Sequence, residues 1–328
     1  MRLSILLPYF NTPWPLLRAQ LDSLAACDMR SFASVELVLV DDGSDTGLAE
    51  AVDAWCAGSA WLVQHLHHDG NRGLANALNT AMAAATGDWL AFADGDDLTH
   101  PQRFAIQADF LSVNPSLVAA GGDMIELTHP AGIRGRRRRF PADNADIRVE
   151  LLFYCAMAQP TLMLRRSVWA ALDIWRTPGM GMAEDWDFFI RLGDAGRLGN
   201  CGASLVDYRL HAGQMTQALS ASEPHPAVLA LWCRQLAALG VEADEVLLGV
   251  HAALSPYWLW PAGDTASAQR LAPAAVMRWH DALLHANAIS QRYEQQALQS
   301  RLALLLARWQ AGERQGGPAK SGRLFNLP

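Results

Sequence analysis

In Trp89-Leu90-Ala91-Phe92-Ala93-Asp94-Gly95-Asp96-Asp97, five apolar residues run without interruption into three acids around one glycine. A short, fully apolar run of this kind reads as a strand buried on both faces. The acids then stand at its carboxyl end, where they build a small and strongly negative pocket. Oxygen ligands and charge neutralisation are what a hard divalent cation requires, so the pocket suits Mg²⁺ or Mn²⁺. An acidic turn is the plainer alternative, because Asp and Gly are common turn residues.

The flanking sequence favours the first reading. Upstream, three further apolar runs at Leu3–Leu7, Val35–Val40 and Trp61–Leu66 alternate with helix-like stretches at about 15–26, up to 55 and 73–85. Fully apolar strands alternating with amphipathic helices imply a Rossmann-like, mostly parallel α/β sheet flanked by helices. Ligands of such sheets bind beyond the carboxyl ends of the strands. Polar clusters fall at those ends here: Tyr9-Phe10-Asn11, Asp41-Asp42, Asn71-Arg72 and Asp94–Asp97.

Composition narrows the chemistry. With 51% hydrophobic residues and 18% charged, the 328-residue chain reads as globular and soluble, and it has no apolar stretch long enough to span a membrane. A net charge of −7 argues against general nucleic-acid binding. Five scattered cysteines without a CxxC pair fit a reduced, cytoplasmic protein and no thiolate zinc site. The sole lysine, Lys320, lies in the polar tail, which removes a P-loop lysine and Schiff-base chemistry. Any cationic contact to phosphate therefore falls to arginine.

Six ordered blocks carry a resemblance to the family 2 glycosyltransferases over roughly residues 2–213. They are Leu7-Pro8-Tyr9-Phe10-Asn11, Val40-Asp41-Asp42-Gly43-Ser44, Asn71-Arg72-Gly73 with Asn79, Asp94-Gly95-Asp96, Glu184-Asp185-Trp186-Asp187 and Tyr208-Arg209-Leu210-His211. The resemblance implies a GT-A fold and inverting transfer of a sugar from a nucleoside diphosphate donor, a uridine diphosphate sugar above others, to an acceptor hydroxyl. It places donor binding on Pro8, Tyr9, Asn11, Asp41, Asp42, Arg72, Asp94 and Glu184. Asp42 would accept the imide N–H of a uracil-type base, and Arg72 would reach base or phosphate. Asp94-Gly95-Asp96 matches the family's DxD motif, with Asp96 ligating Mn²⁺ or Mg²⁺, His211 completing the metal or diphosphate environment, and Asp94 contacting the ribose or the metal's hydration shell. Gly95 would permit a tight turn, and Asp97 would cap the following helix. The general base is assigned to Asp185, with Glu184 the runner-up. Gln159 stands where relatives often carry His, and no catalytic role is placed there.

Each block has a plainer reading. Ser44 or Asp45 can cap a helix, Arg72 can be a surface side chain, and acids favour a helix N-terminus in any protein. His65, His67 and His68 invite a metal reading, but structural or exposed roles are the expectation. The basic run Arg134-Gly135-Arg136-Arg137-Arg138-Arg139 is expected as a solvated loop; the sharper alternative is peripheral contact with anionic lipid at the inner face of a membrane, or with a lipid-linked acceptor.

The expected organisation is a GT-A domain at 1–213, a helical extension at 214–311 and a disordered tail at 312–328. Helical spacing is clearest at Val228–Leu239, Ala274–His285 and Arg292–Trp309, and Tyr257-Trp258-Leu259-Trp260-Pro261 is read as core packing or an interfacial anchor. The partners expected are a nucleotide-sugar donor and a glycan or lipid-linked acceptor of cell-surface polysaccharide synthesis, with no nucleic acid. A noncatalytic nucleotide-sugar or glycan-binding module of the same fold is the rival. A dinucleotide-dependent oxidoreductase is disfavoured, since Pro8-Tyr9-Phe10-Asn11 replaces a GxGxxG after the first strand.

Overall fold

The computed structural model of the chain describes residues 1–45, 47–128, 132–211, 226–255 and 271–311. It divides into two compact units: Met1–Ala142 with Met157–His211, and Asp143–Ala156 with the described residues that follow His211.

The first unit is built on β1 (Arg2–Tyr9), α1 (Trp14–Ala25), β2 (Ser34–Asp41), α2 (Ala49–Ala57), β3 (Leu62–His67), α3 (Leu74–Ala84) and β4 (Trp89–Phe92). Strands β3, β2, β1 and β4 lie side by side and parallel, with Leu6 opposite Val38 on one edge and Phe92 on the other. Residues 3–9 of β1 and all of β4 are buried, as apolar strands covered on both faces must be. Leu17, Leu21 and Leu24 of α1 join Ile5, Leu37 and Ala91 in the core. Pro8 is tolerated inside β1 because Leu6 supplies the last carbonyl to the β4 side, accepting from Ala93 N, and Pro8 lies on that same side beyond the end of β4.

The sheet then turns mixed. After β5 (Leu98–Thr99) and α4 (Arg103–Val113), the long β6 (Leu117–Thr128) runs antiparallel to β7 (Ile133–Arg138) and β8 (Met163–Arg165), and parallel to β9 (Arg197–Leu210). Strand β8 bridges β4 to β6, antiparallel to both, so one nine-stranded sheet runs through the described residues of this unit. Helices α6 (Arg166–Leu172) and α7 (Glu184–Ala195) complete it.

The basic run departs from its expected loop. Residues 134–138 form part of β7, and the guanidinium groups pair with acids on neighbouring strands: Arg134 with Asp207, Arg137 with Asp123 and Arg138 with Glu126. Arg138 also lies over the Tyr208 ring at 5.1 Å. Those acids belong to β6 and β9, and only the sheet register brings them to the arginines. The run therefore reads as solvated in one dimension and as paired in three.

The second unit gathers α5 (Asn144–Glu150), α8 (Pro226–Leu239), α9 (Glu245–Leu254) and two further helices, Pro273–Ser290 and Gln295–Gln310. Its core is aromatic. Phe153 stacks on His251 at 5.2 Å, and Trp232 and Trp279 meet the same imidazole edge-on. Buried Glu150 pairs with Arg301 at 2.8 Å. The segment Asp143–Ala156 groups with these helices, although it lies within the stretch of sequence read as one sheet domain. The Tyr257–Pro261 stretch and the tail at 312–328 fall outside the described residues.

Candidate active site

The carboxyl ends of β1, β2 and β3 carry a bonded polar frame. Asp42 is buried and accepts from His68 Nδ1 at 2.6 Å and from the backbone N–H groups of Arg72 at 3.0 Å and Gly73 at 2.8 Å. His68 in turn meets Thr80 Oγ1 through Nε2 at 2.9 Å. Asp41 Oδ1 accepts from Ser44 N, and Asn11, in the left-handed region at φ 48°, ties its own loop to the same turn through Ser44 Oγ and Asp45 N. Tyr9 hydroxyl donates to His65 Nε2 at 2.7 Å, and His65 Nδ1 to Asp53 at 2.6 Å. Burial is the main reason the Tyr9 hydroxyl is held far above the usual tyrosine range, with Asp41 adding to it. His65 and His68 therefore serve this frame. Gly43 is required where it stands: at φ +78° a Cβ would lie 2.4 Å from the carbonyl carbon of Gly70.

The end of β4 opens the second cluster. Asp94 Oδ1 accepts from Gln159 Nε2 at 3.0 Å, and Asp96 Oδ2 lies 2.8 Å from His211 Nε2. Asp94 keeps some exposed surface, but loss of hydration, followed by the charge of Asp96, pushes its carboxyl up to about 7; Asp185 pushes the same way, while Gln159 and Arg176 oppose. Asp185, remote from Asp94 in sequence, is therefore near enough for its charge to act on that carboxyl. Gly95 does not adopt a left-handed turn. It packs on Tyr9 and Leu17, with room for a Cβ only at 3.4 Å.

Asp97 does not cap α4 as expected. Its Oδ1 accepts from Arg209 N at 2.9 Å, locking β9 to the β4 loop, and the cap position before α4 is Gln102. The buried Oδ2 has no partner among the described residues. Burial, then Asp96 and Asp94, raise this carboxyl well above its ordinary value. Burial first, and then the neighbouring acids, favour the neutral form of this carboxyl over the ionised one.

Helix α7 presents its first turn to this cluster. Trp186, Phe188, Phe189 and Leu192 are buried and orient it. Glu184, however, is also buried and accepts from Arg176 Nη1 at 3.0 Å; Asp187 accepts from Thr177 and Arg191. Asp185 is the partly exposed acid of the three. Its Oδ1 accepts from Trp186 N at 2.7 Å.

The predicted residues thus sort by environment. Tyr9, Asn11, Asp41 and Asp42 form the frame, Pro8 precedes it in β1, Glu184 is held in an ion pair, and Arg72 is exposed beside the frame. Asp96 pairs with His211 at the β4 end, and Asp185 is near enough to act on Asp94. Sequence reasoning singled out Gln159 without giving it a role, and it missed Arg176. A sequence signal existed for Gln159, which directly precedes Pro160-Thr161; none existed for Arg176, which becomes visible only through its burial.

The chemistry of the donor set suits a small hard cation. Among the described residues no group of three or more His, Cys, Asp or Glu is arranged to hold a metal ion. Asp96 and His211 offer one carboxylate oxygen and one imidazole nitrogen at a common point, and Mg²⁺-type sites commonly take few protein ligands and complete their shell with phosphate oxygens and water.

A mixed sheet with parallel β3, β2, β1 and β4 at its start and helices flanking it is the GT-A type of fold. The chain belongs to glycosyl transferase family 2, whose profile matches residues 4–169. It is therefore a glycosyltransferase. A Bacillus subtilis protein named as a putative glycosyltransferase, EpsE, is 27% identical over 199 residues, covering 60% of this chain and 68% of the relative. The amylovoran biosynthesis glycosyltransferase AmsE of Erwinia amylovora is 31% identical over 144 residues, covering 44% and 52%. In fold, the chain is similar to S. aureus TarS 1–349 in complex with UDP-GlcNAc, with a TM-score of 0.61, 18% identity and coverage of 95% of this chain and 88% of that one. It is similar also to the mannosyltransferase PcManGT from Pyrobaculum calidifontis in complex with GDP-Man and Mn²⁺, with a TM-score of 0.54, 18% identity and coverage of 94% and 86%. No helix among the described residues is long and apolar enough to cross a membrane.

Proposed function

We propose that the protein transfers a sugar, with inversion, from a uridine diphosphate sugar to an acceptor hydroxyl in the synthesis of a cell-surface polysaccharide. The observation that supports this reading is the pairing of Asp96 with His211 at the end of β4, beside an Asp94 whose carboxyl feels the charge of Asp185. The uridine donor is supported by the similarity in fold to TarS, which binds UDP-GlcNAc in its crystal structure. The polysaccharide product is supported by the likeness to AmsE, a glycosyltransferase of amylovoran biosynthesis.

Asp96 and His211 would hold a divalent cation, Mn²⁺ or Mg²⁺. Bound there, it supplies positive charge against the negative charge that grows on the departing diphosphate. Asp185 takes the acceptor hydroxyl proton as that oxygen forms its bond to the anomeric carbon and the bond to the diphosphate oxygen breaks. Asp94, held by Gln159, faces the nucleotide side, and exposed Arg72 is placed for phosphate. Glu184 is unsuited as base because its ion pair with Arg176 stabilises the carboxylate in place.

The test is nucleoside diphosphate release by purified protein with Mn²⁺ across a panel of nucleotide sugars and acceptors. Asp185→Asn is expected to keep UDP affinity and lose turnover by about 100-fold or more. Asp96→Ala is expected to lose the Mn²⁺ dependence of UDP binding. Wild-type turnover in the first variant removes Asp185 as base; unchanged Mn²⁺-dependent binding in the second removes the cation assignment. Donor binding without release of UDP from any acceptor would favour the noncatalytic module.

A further inference from the structure

Arg176 is a buried cation without an obvious reason to be there. Its side chain has no solvent exposure, lies 4.0 Å over the Phe188 ring and 5.0 Å from that of Phe92, and makes one ion pair among the described residues, to Glu184 at 3.0 Å. Its Nε and Nη2 are buried with no partner among the described residues. Removing a guanidinium from water is costly, and a single carboxylate with two nitrogens left over does not recover that cost. An apolar side chain of similar volume between two phenylalanines would serve stability better. The cation is therefore kept for something other than stability.

Its backbone is fixed independently. Arg176 N donates to Asn79 Oδ1 at 2.8 Å and Asn79 Nδ2 donates to Arg176 O at 3.0 Å, so α3 grips the residue from both sides. From this anchored point the side chain spans two elements. Phe92 is the last residue of β4, just before the DxD acids, and Glu184 and Phe188 belong to α7, on either side of Asp185. One rigid planar group thus joins the strand end that carries the DxD acids to the helix turn that carries the proposed base. A guanidinium suits this task because it can stack on rings and form an ion pair in its plane at once, which an ammonium cannot.

We infer that Arg176 is a positioning residue for sugar transfer, setting the first turn of α7 against the end of β4 so that Asp185 faces the donor bound at Asp94 and Asp96. The inference rests on Asp185 as the base. It adds that the base's placement is held by a residue that touches neither substrate nor cation. Misplacing a reacting group by about 1 Å can cost on the order of 100-fold in rate while binding is little affected.

The experiment compares Arg176→Met, Arg176→Lys and Asp185→Asn with the wild type, reading kcat for UDP release, the dissociation constant for UDP with Mn²⁺, and the melting temperature. Arg176→Met is expected to lower kcat by about 30-fold or more with UDP affinity within about twofold of wild type. Arg176→Lys should recover part of the rate, because the charge returns without the planar stack. Wild-type kcat in a folded Arg176→Met overturns the inference, as does a loss of UDP affinity that matches the loss of kcat. Should Arg176→Met fail to fold, Arg176→Lys decides: reduced kcat at wild-type UDP affinity supports the inference, and wild-type kcat overturns it. Asp185→Asn separates the two levels. Wild-type turnover there rejects the base itself, whereas a dead Asp185→Asn beside a fully active Arg176→Met rejects the role of Arg176 alone.

Discussion

Asp42 lends itself to a quantitative test, because its carboxylate is the hub of the frame beside the site. Truncation by Asp42→Ala strips the acceptor from three donors at once: His68 Nδ1–H and the N–H groups of Arg72 and Gly73. The His68 side chain is only 4% exposed, so its donor has no access to water. A hydrogen bond to a charged group contributes about 1.5–3 kcal/mol, and the full value applies to His68. The two backbone donors open α3, where water can replace part of the loss, so each counts nearer 1 kcal/mol, giving a total of about 4 kcal/mol. At roughly 2–4 °C per kcal/mol for a unit of this size, the melting temperature falls by about 8–16 °C. Asp42→Asn retains one acceptor oxygen and should lose about half as much. Urea titration followed by circular dichroism measures this directly, with UDP binding measured on the same samples. A loss below about 1 kcal/mol in Asp42→Ala would refute the hub role. Stability and recognition separate here. If Asp42 also accepts the imide N–H of uracil, Asp42→Asn weakens UDP binding about tenfold or more, because a donor then meets a donor.

The helical unit carries two buried groups with opposed pH dependence. Burial pulls His251 down to about 4 from 6.5, so its contribution to stability is complete above 6.5 and drains away as pH falls through 4. Burial pushes Glu150 up to about 7 from 4.5, with Arg301 opposing, so its contribution is complete below 4.5 and is lost as pH rises through 7. Each is on the order of 3 kcal/mol, and between them they flatten the stability of the wild type in this window. Glu150→Gln should unmask the histidine, so that urea midpoints fall more steeply from about pH 7 to about pH 5 than in wild type; parallel profiles would contradict this account. On β7, Arg137→Ala takes the cation from buried Asp123, which keeps the N–H of Phe140, and should cost about 2 kcal/mol, whereas exposed Arg139→Ala should stay within about 0.5 kcal/mol. Equal effects in urea titrations would show that the ion-pair description of the basic run is wrong.

Much of the candidate site was legible because its residues sit at strand ends, and strand ends are marked in one dimension by the point where an apolar run stops. Leu3–Leu7, Val35–Val40, Trp61–Leu66 and Trp89–Ala93 each announce where polar residues can gather, and together they imply the parallel sheet that aligns those ends. What the runs could not disclose was which gathered residues look inward. Asp42 and Glu184 carry the same functional group as Asp96 and Asp185, yet His68 and Arg176 claim the first pair. Those partners lie outside the local pattern, and no periodicity points to them.

The basic run taught the same lesson with opposite sign. Five arginines within residues 134–139 imply a free field of charge, but β6 and β9 place Asp123, Glu126 and Asp207 against three of them. Asp143–Ala156 shows the limit for domain boundaries too, since nothing in its composition marks it as belonging with helices far downstream.

The order of residues alone therefore settled the sheet class and the strand ends where polar residues gather, because burial of apolar runs is a local property that composition and spacing express; the family came from the resemblance of the motif blocks. Tertiary structure decided which acids are buried in ion pairs and which keep some exposure, that Gln159 holds Asp94, and that Arg176 joins β4 to α7. Those are pairings between residues far apart in the chain, and a charge becomes a partner, a base or a ligand only when its neighbours in space are known.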